Sequence, residues 1–381
     1  MSSLYIGLMS GTSMDRIDAG LFDIRDSRCN TVATHSNPYP DELRELLMTA
    51  SREPQRCTVD LLGRLDTWVG DCFRQAAEDL IEASGSNRRH IRAIGSHGQT
   101  IRHQPRAERP FTVQIGDPNV IAAGTEITTV ADFRRRDVAL GGEGAPLATA
   151  FHRNFLADAQ ENRVVLNIGG FANVTILPAG GGSVRGFDTG PGNTLLDAWI
   201  HLARGQAYDD GGAWASSGSV ADSLLQRLRD DPYFRSPPPK STGFEYFHLK
   251  WLLDRINRVA REQQLPDEDI QATLAALTTN TIADAVREHA PGSARVLVCG
   301  GGVRNSHLIR LLAAAMPGLT VESTAAYGID PGWVEAATFA WLAERRINGQ
   351  TGNLPEVTGA SREAVLGAVY YGNEGTPRGN E

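Results

Sequence analysis

Four short apolar runs, each closed by a turn of small residues, constrain this chain more than any other feature. They are SLYIGLMSGTS, IRAIGSHGQT, RVVLNIGGFANVTIL and ARVLVCGGGVRN. Each reads as a buried strand ending in a glycine turn. Between them, TVDLLGRLDTWVGDCFRQAAEDLIEAS and DIQATLAALTTNTIADAVREHA carry apolar residues at three- and four-residue spacing, the signature of helices packed on one face. NTLLDAWIHLAR follows a Pro-Gly and reads as another helix start. Strands alternating with helices make an α/β protein.

The first half and the middle of the chain begin alike. IGLMSGTSMDRIDAGLFDI reads as strand, turn, strand, and so does VVLNIGGFANVTILPAGGGSVRGFDTG, with PAGGG as a second turn. That pattern is an internal duplication with little identity between copies. A length of 381 residues suits two domains or one large bilobal unit. The net charge of -8 disfavours a general nucleic-acid or membrane-surface binder, since both need a basic face. The four cysteines, Cys29, Cys57, Cys72 and Cys299, form no CxxC pair, so neither a zinc knuckle nor a disulfide framework is expected. No signal peptide and no apolar run of membrane-spanning length is read, which makes the cytoplasm the expected compartment. RSPPPKSTG, Arg235 to Gly243, reads as a loop rather than a linker.

Glycine turns after strands expose backbone N–H groups and let an anion approach. Four of them on two similar halves suggest a nucleotide in a cleft, although tight turns use glycine for their own sake. None fits GxxxxGK[ST], and none is a GxGxxG opening a helix, so a Walker ATPase and a dinucleotide dehydrogenase are disfavoured.

The motifs GLMSGTSMDRID, SHGQT, QIGDPN, ADFRRRDVALGGEGAPL, NIGGFANVT, GFDTGPGN and CGGGVRN, in this order, resemble the anhydro-N-acetylmuramic acid kinases from about Tyr5 to Tyr371. The resemblance implies a two-lobed actin/Hsp70/hexokinase-like (ribonuclease H-like) α/β fold with internal duplication and ATP in the central cleft. It also implies a reaction that opens the 1,6-anhydro ring of 1,6-anhydro-N-acetylmuramic acid with water and phosphorylates O6, in cell-wall recycling. A homodimer is implied as well. The expected lobes are 1–135 and 136–354, with a tail at about 355–381 returning to the first.

On this reading Asp188 of GFDTGPGN is the base that deprotonates the attacking water; an ordinary Asp, with a pKa near ~3.9, is ionised at neutral pH. Its alternative is a cap for the helix near Asn193, but it lies several residues too early. The first ATP-binding stretch is Gly11, Thr12, Ser13, Met14, Asp15, Arg16, Ile17 and Asp18. Asp15 is the candidate Mg²⁺ ligand, because Mg²⁺ takes oxygen ligands and keeps several waters. Asp18 either flanks the phosphate loop as part of the ATP site or only stabilises the turn. Gly169, Gly170 and Asn173 form the second phosphate loop, and Gly300, Gly301, Gly302 and Asn305 pack against adenosine.

On the sugar side, Arg134 of FRRRD is the first choice to meet the lactyl carboxylate, since guanidinium pairs bidentately with carboxylates. His97 and Gln99 stand where hydroxyl-binding groups belong. Glu335 is either an acid near the sugar or a favourable charge at a helix N-terminus. Arg16 replaces a glycine usual at this point of the family motif. A left-handed backbone there would cost roughly 1–2 kcal/mol. Glu143 and Phe244 also depart from the family pattern. Three other readings stand beside this one: a kinase for a different small molecule, a nucleotide-driven chaperone or filament module, and a nucleotide-binding relic.

Overall fold

The computed structural model describes residues 3–25, 28–260 and 264–372. Among them lie the strands β1 (Leu4–Met9), β2 (Arg16–Arg25), β3 (Arg28–Pro38), β4 (Ile91–Ser96), β5 (Gln99–Gln104), β6 (Phe111–Ile115), β7 (Thr129–Ala131), β8 (Asn162–Ile168), β9 (Phe171–Leu177), β10 (Arg185–Pro191), β11 (Ser293–Cys299), β12 (Thr320–Ser323) and β13 (Ala368–Tyr370). Contacts divide the chain into two compact units. One takes residues up to Phe155 and those from Trp333 onward; the other is Leu156–Gly332.

In the first unit the sheet runs β13-β7-β4-β1-β2-β3. Strands β1, β2 and β3 form an antiparallel meander, while β4 lies parallel to β1 and β7 parallel to β4. In the second unit the sheet runs β10-β9-β8-β11-β12. Here β8, β9 and β10 are the meander, and β11 and β12 continue it in parallel. The two sheets repeat one order, third-second-first-fourth-fifth, so the duplication read from the glycine hairpins is a duplication of topology. The α/β fold is thus built twice, a three-stranded meander extended by two parallel strands in each unit. Each unit closes its own core: Ile6, Leu8, Leu21, Phe73 and Ile94 in the first, and Val164, Leu166, Trp199, Phe247 and Leu277 in the second.

The long helices fall where the periodicity puts them, over Val59–Ser84, Thr194–Arg204 and Asp267–His289. The first is capped by Thr58, whose side chain accepts from the Leu61 N–H. Strand β3, RCNTVATHSNP, is not legible as a strand. It is an edge strand with few buried positions, so it lacks the alternation that reveals a half-buried one. No described helix is long and apolar enough to cross a membrane.

The unit boundaries differ from the expected 135/136 and 354/355. The first unit keeps Phe133–Ala139 and Ala148–Leu156 up to Phe155, and takes the chain back at Trp333. The early return has a steric cause. The helix Val334–Ile347 lies directly on β1 and β4, where Gly7 and Gly95 leave no room for a Cβ: one there would overlap the backbone carbonyls of Ala336 and Phe339. Of the expected tail, 373–381 lies outside the described residues.

Candidate active site

The four glycine turns occupy equivalent places in pairs. In each unit one turn joins the first two meander strands, and the other follows the strand parallel to the first. These are the carboxyl ends of adjacent parallel strands, where open α/β sheets bind ligands.

In the first unit β1 ends at Met9, and Ser10–Asp15 turn into β2. Thr12, Ser13 and Asp15 are exposed. The Ser13 hydroxyl donates to Asp15. The strained residue of this turn is Met14, buried with a φ of 51°, and not Arg16, which opens β2 outside the left-handed region. Arg16 therefore carries no left-handed backbone cost. Its side chain reaches Asp18 at 3.1 Å, and Asp18 also accepts from the Ser36 hydroxyl at 2.6 Å.

Gln99 is fully buried and both of its polar ends are taken. Its Oε1 accepts from the Ser10 hydroxyl at 2.8 Å, and its Nε2 donates to the Gly11 carbonyl at 3.2 Å. It braces the turn, in place of the hydroxyl contact expected of it. His97 is also buried, and its Nε2 accepts from the Arg134 Nε and a terminal nitrogen at 3.1 and 2.9 Å. Burial first, then the guanidinium charge, push the His97 pKa well down, so the ring is neutral. Arg134 also donates to the Gly144 carbonyl at 2.8 Å. Burial lowers its pKa to about 10 against the opposing pull of Glu335 and Asp137, and it keeps its charge. Arg135 and Arg136 are exposed. Glu335 opens the helix Val334–Ile347, reachable by solvent. The surrounding protein raises its pKa, Arg134 lowers it and Asp18 raises it, which puts these three charges in one neighbourhood. The unit thus brings His97, Arg134, Glu335 and Asp18 together.

Asp137, which the sequence did not single out, organises this side. It accepts from Gly144 N–H at 2.7 Å, Asn353 Nδ2 at 2.7 Å and the Thr358 hydroxyl at 2.8 Å. Gly144 is the residue whose carbonyl holds Arg134, so the buried carboxylate fixes the loop that aims the guanidinium.

In the second unit Gly169 and Gly170 join β8 to β9. Their carbonyls are tied back by the N–H groups of Asn193, Gly192 and Thr194 and by Asn193 Nδ2. The Gly169 N–H is itself taken by the Phe171 carbonyl at 3.1 Å, so what the turn has left to offer is the Gly170 N–H, beside the first turn of the helix Thr194–Arg204. Asn173 pairs with Asp188 across β9 and β10. Asp188 is held at three points: its N–H donates to the Lys240 carbonyl at 3.0 Å, its carbonyl accepts from the Tyr233 hydroxyl at 2.9 Å, and Oδ2 accepts from Thr242 N–H at 2.9 Å. It caps no helix. Oδ1 has no hydrogen-bond partner among the described residues. Burial raises the carboxyl to about 6 against the Thr242 hydrogen bond, so Asp188 is not the ordinary Asp of the sequence reading, yet it is ionised at pH 7.

The third glycine run divides by role. A Cβ on Gly300 or Gly302 would overlap Asn167 or Ile168, so both are required by packing in their own unit. Gly301 is exposed and faces open space. Asn305 caps the helix Ser306–Ala315, accepting from Leu308 N–H at 2.9 Å. Among the described residues no three His, Cys, Asp or Glu side chains cluster as a metal site.

A family model described as anhydro-N-acetylmuramic acid kinase matches residues 3–372. Curated relatives described by the same words include one from Xanthomonas campestris pv. campestris, 52% identical over 97% of both chains. Another, from Coxiella burnetii, is 49% identical over 97% of this chain and 98% of its own. Among solved structures, the activator of a 2-hydroxyisocaproyl-CoA dehydratase from Clostridium difficile is similar at 13% identity, with a TM-score of 0.47 over 91% of this chain and 96% of that one.

Proposed function

The chain belongs to the anhydro-N-acetylmuramic acid kinase family, and from that premise we propose how its residues divide the reaction. The enzyme is an ATP-dependent sugar kinase that converts 1,6-anhydro-N-acetylmuramic acid to N-acetylmuramic acid 6-phosphate in peptidoglycan recycling. In the proposed course, a water oxygen bonds to C1 as the C1–O6 bond breaks. O6 takes the γ-phosphoryl group and ADP leaves. The proton of the water goes to Asp188.

The observation that carries this assignment is the hold on Asp188: Oδ2 fixed by Thr242 N–H, Oδ1 without a hydrogen-bond partner among the described residues. A positioned base is typically worth about 10²–10⁴-fold. In the turn Gly169–Gly170 the Gly170 N–H meets phosphate and Gly169 lets it approach closely; the stretch Gly11–Asp18 that Gln99 braces takes phosphate as well. Gly301, with nothing above it, is the member of its run that faces the nucleoside. Arg134, with two of its five donors left over, pairs with the lactyl carboxylate, and Glu335 accepts from a sugar hydroxyl. His97 orients Arg134. Asp15 is exposed and single, which fits Mg²⁺, an ion held by one or two carboxylates, substrate phosphates and water. When bound, Mg²⁺ neutralises charge on the transferring phosphoryl group.

Asp188→Asn is expected to bind ATP like the parent and to lose at least about a hundredfold in sugar-dependent ADP release. Mass spectrometry of the parent's product is expected to show one phosphate and one water added. An Asp188→Asn enzyme of full activity sinks the base assignment, and a gain of phosphate alone sinks the hydrolytic step. The protein is further proposed to work in the cytoplasm as a homodimer, for which light scattering would read twice its 41.1 kDa.

A further inference from the structure

The segment that holds Asp188 also carries a ring that neither phosphate binding nor the base role requires. Phe244 lies two residues past Thr242 and is half exposed. Its ring stands nearly perpendicular to Phe171, centroids 5.0 Å apart. It reaches within 3.6 Å of where a Cβ on Gly170 would stand, next to the Thr194 hydroxyl at 2.8 Å, so the ring packs against the exposed Gly170 of the second glycine turn.

The placement is firmly built. Gly243, next to it, accepts from Tyr246 N–H at 3.0 Å and Phe247 N–H at 3.1 Å. Phe247 is fully buried. The buried Asp231 anchors the same segment, accepting from the Tyr246 hydroxyl at 2.7 Å, Trp251 Nε1 at 3.0 Å and Arg255 at 2.5 Å. An aromatic ring pinned over a phosphate turn removes room for water there without offering it a hydrogen bond.

We propose that Phe244 is a specificity-determining residue that excludes solvent water from the phosphoryl group held at Gly169–Gly170, so that transfer goes to the sugar. The inference rests on the reading of that turn as a phosphate site. The reaction it suppresses is simple hydrolysis. A water oxygen bonds to the γ-phosphorus, the bond to ADP breaks, and inorganic phosphate and a proton are released. The base role of Asp188 serves a different bond, the one at C1.

The test measures ADP, inorganic phosphate and sugar phosphate together, with Mg-ATP, in the presence and absence of the anhydro sugar. With the sugar present, Phe244→Ala is expected to raise inorganic phosphate per ADP severalfold over the parent, and without it, where the two are equal by stoichiometry, to raise the rate of ADP release, since shielding from water is what suppresses such side reactions. Phe244→Leu, which restores an apolar cover, is expected to return most of the coupling. Should Phe244→Ala be too unstable to assay, Phe244→Val gives the same reading at smaller size. A parent-like phosphate-to-ADP ratio in the shortened variants overturns the proposal. Asp188→Asn in the same assay keeps the two readings apart: its sugar turnover reports the base, while the phosphate leak reports the cover.

Discussion

At Asp188 a carboxyl must be charged in surroundings that resist charge. Burial raises its pKa to about 6, and only the Thr242 amide opposes the shift. As the proposed base it must be deprotonated, so kcat/KM is expected to fall as pH drops through about 6, approaching tenfold per unit below it. A second carboxyl complicates the profile: Asp197 is raised to about 7 by burial and by Asp209. A pH profile of Asp197→Asn separates them. The acid limb near 6 persists if Asp188 carries it, and its disappearance moves the assignment. Stability runs the other way. The folded state binds this proton more tightly than the unfolded chain, so the cost of ionising Asp188 is absent below pH ~4 and full above pH ~6. Asp188→Asn is therefore expected to melt higher than the parent at pH 7–8, with the gap closing near pH 4.

Among elements, the helix Val334–Ile347 decides the geometry of the first unit's charged neighbourhood. It delivers Glu335 toward Arg134, and it can do so only because Gly7 and Gly95 let its backbone touch the sheet. Glycine inside a strand ordinarily weakens it, and here the close approach is the reason for it. Gly7→Ala is expected to cost about 1–3 kcal/mol through overpacking. Because the displaced helix carries Glu335, the KM for the sugar should rise while ATP affinity holds. A melting curve and separate titrations of the two substrates check both halves. An unchanged sugar KM would mean that the helix absorbs the methyl without moving its N-terminus.

For the molecule as a whole, the duplicated topology gives two cores rather than one. Chains with two cores are those in which a single two-state transition fails. Leu65 and Leu277 are fully buried, one in each core, and truncating either to Ala is expected to cost about 2–5 kcal/mol. Hydrogen exchange on Leu277→Ala should show protection lost first within 156–332, with β1 and β4 still protected. Simultaneous loss in both units would mean that the cores unfold as one. The separation of cores also makes the lobe boundaries hard to read from sequence. A return of the chain at Trp333 depends on which sheet its helix covers, and the helix pattern is the same on either.

The sequence by itself determined what depends on neighbours along the chain. The order of strands and helices, the glycine turns and the repeated hairpin follow from patterns a few residues long. The ordered set of motifs carried the family. Only the tertiary structure decided what depends on groups distant in sequence. Thr242 grips Asp188 across 54 positions through a backbone amide that any residue would supply, so no side-chain type announces it. Gln99 turns inward to brace Gly11 across 88 positions, and Asp137 gathers Asn353 and Thr358 from the far end of the chain. The elevated Asp188 pKa belongs to the same class. Desolvation is a property of everything packed around a group, and that is fixed only when the chain has closed on itself.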